Sequence, residues 1–210
     1  MKKSVVFFAV YFVLFFNSIP ELLSQKVISQ KSVQITDSWY LLLGLGYSDI
    51  SYPMNLESLI NFMENETLVM NLPFNFNMGV YFPILNDYNL IGVVIEGDLD
   101  FFDYSTGSIQ IYSYIFGVSM IQHITGYIGN GIYIRGDAGM AFGSNSYEFG
   151  DETYSKSSES GFGLRLGGGF EFPIATDNDS VWMQLDISFT IKNIDDNKYK
   201  SLGFGLGFLF

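Results

Sequence analysis

Eight stretches of this 210-residue chain alternate apolar with small or polar residues, and none of the apolar rows contains a charge. A period of two puts neighbouring side chains on opposite faces of a strand. Residues 37–47 set Trp39, Leu41, Leu43, Leu45 and Tyr47 against Gly44 and Gly46. Residues 71–82 set Leu72, Phe74, Phe76, Met78 and Val80 against Asn71, Asn75, Asn77 and Gly79. The pattern runs on through 89–102, 108–121, 127–142, 161–172 and 180–192. It ends at 201–210, where Leu202, Phe204, Leu206, Phe208 and Phe210 oppose Gly203, Gly205 and Gly207. Charges inside these stretches fall on the other rows: Glu96, Asp98, Asp100, Arg135, Asp137, Arg165, Glu171, Asp186 and Lys192.

Two-faced strands suit a soluble sandwich with the apolar face inward, or a membrane barrel with it outward. The residue types favour the barrel. Glycine, asparagine and sparse charges of both signs fit a crowded interior, and bulky Leu, Ile and Phe along the whole row fit lipid. A charge facing lipid costs about 2–4 kcal/mol at the midplane, so its exclusion has a cause. The same arrangement reconciles a mean hydropathy of +0.23 with a net charge of −12. The absence of cysteine excludes disulfides, thiolate metal sites and a cysteine nucleophile. The acidic balance excludes nucleic acid as a partner, because neutralising phosphates needs clustered Lys and Arg.

The predicted fold is all-β: an eight-stranded antiparallel up-and-down transmembrane β-barrel over residues 37–210. An even strand number leaves both barrel ends on one side. Residues 83–88, 122–126 and 173–179 read as short turns, rich in Pro, Asn and Asp, and are expected on the periplasmic side. Residues 48–70, 143–160 and 193–200 read as longer polar loops on the outer side, with 103–107 a short one. Pro73 cannot donate to a ladder, so it is expected at a bulge or near the outer end of its strand.

The N-terminus carries Lys2 and Lys3, an apolar run from Val5 to Phe16, then Pro20 and small or polar residues near Ser24. That order is the signature of a secretory signal peptide, and the run is shorter than the roughly 20 residues that span a bilayer. Residues 1–24 are expected to be removed, leaving 25–36 as a periplasmic segment.

Together, these segments resemble the small outer-membrane β-barrel family, of the OmpA transmembrane-domain and OmpX kind. Residues 202–210, ending in the aromatic Phe210, resemble that family's C-terminal assembly signal. The resemblance implies an outer-membrane location, outer-membrane lipid and the insertion machinery as partners, and a monomer. It implies no periplasmic peptidoglycan-binding domain.

An interior of eight strands is just wide enough for side chains to fill. The lumen charges are therefore expected to form a structural ion-pair network, since unpaired buried charge is costly. A proton path, gate or cation site is the alternative. The row Glu96, Asp98 and Asp100 would repel itself unless a cation helps, which makes Asp100 a candidate for divalent-ion contact. No catalytic site, metal centre or cofactor is predicted. The only histidine, His123, falls in a periplasmic turn and is expected to face solvent. In the first outer loop Leu56, Leu59, Ile60 and Met63 have the spacing of an amphipathic helix. That stripe is either a cap over the barrel mouth or an exposed binding patch. Tyr147, Phe149 and Tyr154 mix with acids in 143–160, as contact loops do. Three functions compete: a non-enzymatic protein for membrane integrity or contact with an extracellular ligand or host surface, a narrow solute channel, and a lipid-modifying enzyme.

Overall fold

The computed structural model of the chain describes residues 39–63, 68–84, 88–150, 152–157, 160–175 and 181–210. The expected signal peptide and the segment 25–36 lie outside the described residues. Nine strands and one helix are described: β1 (Tyr40–Ser51), α1 (Met54–Met63), β2 (Leu68–Pro83), β3 (Asn89–Tyr104), β4 (Gly107–His123), β5 (Gly131–Phe149), β6 (Glu152–Ser157), β7 (Gly161–Ala175), β8 (Val181–Ile194) and β9 (Asn197–Leu209).

All pairings are antiparallel between strands adjacent around one ring, and β1 pairs with β9 to shut it. β6 and β7 share one wall position. Ser144–Phe149 of β5 pair with β6, whereas Gly131–Ala141 pair with β7. The result is a closed eight-stranded up-and-down barrel, the architecture of the small outer-membrane barrels. The closing seam runs from Leu42↔Leu209 to Ser51↔Lys200.

The alternation read from sequence is the alternation of the wall. One row, Leu45, Leu206, Leu185, Phe170 and Ile132, runs across four neighbouring pairings, and these side chains are 41–66% exposed. Aromatic rings rim this apolar band. Near the α1 end Phe101 stacks on Phe74 at 5.9 Å and meets the edge of Tyr112 at 5.9 Å. At the opposite end Phe208 lies 6.4 Å from Phe210.

Three expected loops are shorter than the polar composition suggested. β8 runs to Ile194 and β9 starts at Asn197, so 193–200 is a tight hairpin. Asp195 and Asp196 both take positive φ (50° and 58°), which suits a two-residue turn between twisted strands. Residues 143–160 are mostly the extended β5–β6 hairpin. Within 48–70, strands reach to Ser51 and begin again at Leu68. Beyond the apolar band both faces of a strand meet polar surroundings, so the apolar period fades although the backbone ladder continues. Pro73 sits near the start of β2, as its missing N–H demands. Pairing of β2 with β1 stops one residue away, at Tyr47↔Phe74.

Candidate functional site

The lumen is layered. At the lower end, where the β1 start meets the β9 end, Tyr40, Leu42, Tyr81, Leu90, Ile121, Ile128, Tyr133 and Leu209 form a buried apolar cluster. At the upper end a second cluster joins Phe102, Tyr104, Ile109, Ile111, Ile115, Ala141, Ile194 and Tyr199 to Leu56 and Ile60 of α1. Most of the lumen charges lie between them, while His123 and Glu171 sit at the level of the lower cluster and Asp100 at that of the upper one. These apolar plugs follow from inward positions such as Leu42, Leu90, Ile115 and Ile121, so the inner face is less uniformly polar than a Gly and Asn reading suggests.

Helix α1 is a cap. Pro53 O accepts from the backbone N–H groups of Leu56 and Glu57, which starts the helix. Leu56 and Ile60 are 6% and 8% exposed, and Leu59 packs partly buried on the same cluster. They are turned into the mouth rather than displayed as an outward patch, because the spacing that makes an amphipathic stripe finds apolar partners on β3, β4 and β9. The side chains of Met63 and Phe149 lie outside the described residues. Tyr147 is partly buried against the mouth cluster, and Tyr154 on β6 is exposed.

All nine predicted lumen charges point inward, and most are brought together. Arg135 pairs with Asp137: Nε donates to Oδ1 at 3.0 Å, and Nη2 lies within ion-pair distance of Oδ2 at 2.9 Å. Its Nη1 donates to Asn77 Oδ1 at 3.2 Å, and its guanidinium lies 5.9 Å from the Tyr81 ring centre. Arg165 donates to Asp137 at 3.2 Å and to Asp186. Tyr133 donates its hydroxyl to Asp186 at 3.2 Å. On the other side of the lumen Lys192 Nζ donates to Asp98 Oδ2 at 2.7 Å and to Ser113 O at 3.0 Å, with Glu96 3.9 Å away. Ser48 and Ser201 also donate to Asp98, at 2.5 and 2.8 Å. Such charge-assisted contacts are what makes burial of these groups tolerable.

Glu171 has a partner that sequence reasoning missed. His123 is not a solvent-facing turn residue: it is the last residue of β4 and 1% exposed. The connection after it turns back under the barrel, with Ile128 buried and Gly129 N donating to Glu171 at 2.7 Å. His123 Nε2 lies 2.7 Å from Glu171 Oε2 and Nδ1 lies 3.1 Å from Tyr88 O. Gln184 also donates to Glu171. A carbonyl can only accept, so Nδ1 is the donor toward Tyr88 O. The signal was parity: His123 continues the inward odd-numbered row of Ser113, Ser119 and Ile121.

Asp100 stands apart. It lies in register with Pro73 at the upper end of β3, and Tyr52 donates its hydroxyl to Asp100 Oδ2. Burial, reinforced by the Asp100 charge, holds the Tyr52 phenol well above its usual range, so it remains a donor. Among the described residues no basic side chain pairs with Asp100. Nor does any group of three or more His, Asp or Glu side chains there converge as a metal site would require.

No family model and no curated protein matches the chain. Among solved structures it is similar to Ail, the attachment invasion locus protein of Yersinia pestis. Identity is 18%, covering 82% of this chain and 97% of that one, with a TM-score of 0.47. Neisserial surface protein A gives 14% identity, 80% and 95% coverage, and a TM-score of 0.48. The N-terminal β-barrel domain of Pseudomonas aeruginosa OprF gives 14%, 82% and 97%, and 0.41.

Proposed function

We propose that this chain is a bacterial outer-membrane β-barrel that serves membrane integrity and surface contact without catalysing a reaction. The carrying observation is the inversion of its faces: a continuous exposed apolar belt outside and an ion-paired network inside. In water such a belt would drive aggregation, whereas in lipid it is the matching surface. The apolar run near the N-terminus supports export by a signal peptide at 1–24, leaving 25–36 in the periplasm. The row Leu202, Phe204, Leu206, Phe208 and Phe210 is then the signal for the insertion machinery. The helix end of the barrel faces outward, and the β5–β6 hairpin with exposed Tyr154 is the element that meets an extracellular ligand or host surface. The barrel acts as a monomer, because its sheet is closed and needs no second chain.

Fractionation of the native host tests the location. The protein is expected with outer-membrane markers, and unboiled samples are expected to migrate differently from boiled ones. Recovery as a periplasmic protein whose mobility ignores heating would overturn the reading. A sealed lumen separates this function from that of a solute passage. The lower apolar cluster fills the barrel below the charged layer, so planar bilayers holding the protein are expected to stay at baseline conductance. Steady currents that change in Asp137→Asn would establish the passage instead.

A further inference from the structure

The lumen carboxylates divide unevenly among the lumen cations. Arg135 and Arg165 hold Asp137 and Asp186, Lys192 serves Asp98 and Glu96, and His123 faces Glu171. Asp100 receives the Tyr52 hydroxyl on Oδ2 and a contact from the Phe101 backbone N–H, but no cation among the described residues. It is 4% exposed, and its Oδ1 has no hydrogen-bond partner. A buried carboxylate oxygen without a hydrogen-bond donor is unfavourable, so this one is open to a partner that brings an N–H.

The wall beside it is open. β1 and β2 pair only as far as Tyr47↔Phe74. Beyond that β1 continues against β9 to Ser51, while β2 continues against β3. The gap is a cavity of about 320 Å³ lined by residues that include Ser48, Tyr52, Glu57, Asn71, Asp100 and Phe102, with no Lys or Arg among them. Outward-facing Tyr47 and Asp49 also border it, so it joins the lumen to the outer surface just above the Phe74–Phe101 aromatic rim.

We propose that this opening binds a primary ammonium group, which donates to Asp100 Oδ1 while the Tyr52 and Phe102 rings flank its alkyl stem and Glu57 adds charge at the entrance. An ammonium brings three donors in a compact head, which suits one buried carboxylate among hydroxyl, amide and aromatic groups. A dehydrated divalent ion needs more converging oxygens than the described residues offer. The amine can come from a soluble diamine or from an aminated lipid headgroup, and the site itself does not depend on which membrane holds the barrel.

The test is titration of the folded barrel in sugar-headgroup detergent with putrescine, ethanolamine and tetramethylammonium, followed by calorimetry. Putrescine is expected to saturate one site and to bind at least tenfold more tightly than tetramethylammonium, which has no N–H to donate. Asp100→Asn is expected to weaken putrescine at least tenfold, and Glu57→Gln only a few-fold. The tetramethylammonium comparison uses the unmutated barrel and so stands even if Asp100→Asn does not fold. Repeating the titration in nanodiscs separates the sources. Competition by phosphatidylethanolamine but not phosphatidylglycerol identifies a lipid headgroup, and equal binding in both identifies a soluble amine. Either outcome supports the site. Absence of saturable amine binding, equal affinity for tetramethylammonium, or calcium binding that excludes putrescine overturns it.

Discussion

Lys192 shows what a single inward side chain does in this lumen. Its ammonium answers Asp98 and Glu96 from across the barrel, and Ser113 completes its donors. Lys192→Met would leave two buried carboxylates without a cation, so destabilisation of about 3–5 kcal/mol is expected. Urea titration of the unboiled folded band measures it, and adding Asp98→Asn to Lys192→Met is expected to restore part of the loss. His123→Ala removes one partner from a Glu171 that keeps Gln184 and Gly129. The expected loss is smaller, about 1–3 kcal/mol. The inward direction of the nine charges was legible in sequence parity. Their partners were not, because pairing across a lumen depends on how far each strand is staggered, and alternation carries no stagger. The His123–Glu171 contact was missed for a related reason: a short polar connection reads the same whether it hangs in solvent or folds back under the barrel.

Among the elements, the β1–β9 seam closes the ring and leaves little room at one of its glycines. A Cβ added at Gly46 would lie 2.1 Å from Phe204 O and 2.7 Å from Gly205 Cα. Across the same seam, a Cβ at Gly205 would meet its nearest atom at 3.6 Å. Gly46→Val is therefore expected to reduce the heat-modifiable folded fraction severely, and Gly205→Ala to leave it near normal. Semi-native gels of matched refolding reactions decide this, and equal folding of the two variants would refute the steric account. Strand existence was clear from the alternation, whereas strand length was not. The 143–160 and 193–200 regions lost their apolar period beyond the membrane band while keeping their hydrogen-bonded ladders. Helix α1 was visible as spacing, but its side of the mouth depended on apolar residues from β3, β4 and β9 that lie far from it in sequence.

For the whole molecule, the apolar belt is the property that distinguishes lipid from water as its solvent. Leu206 sits on that belt between Leu45 and Leu185. Leu206→Arg is expected to cost about 2–4 kcal/mol of folding free energy in liposomes, and an inward substitution of similar size at Gly207 would test whether position rather than bulk is responsible. The Lys192–Asp98 and Thr190–Glu96 contacts reach from β8 to β3, which are separated around the ring by β2, β1 and β9. Those contacts cannot form until the ring is complete, and opening the ring forces charged groups through a hydrocarbon layer. Assembly and disassembly thus pass over very different barriers, and the molecule should carry a memory of its history: unfolding and refolding curves that stay apart for hours when traced in opposite directions.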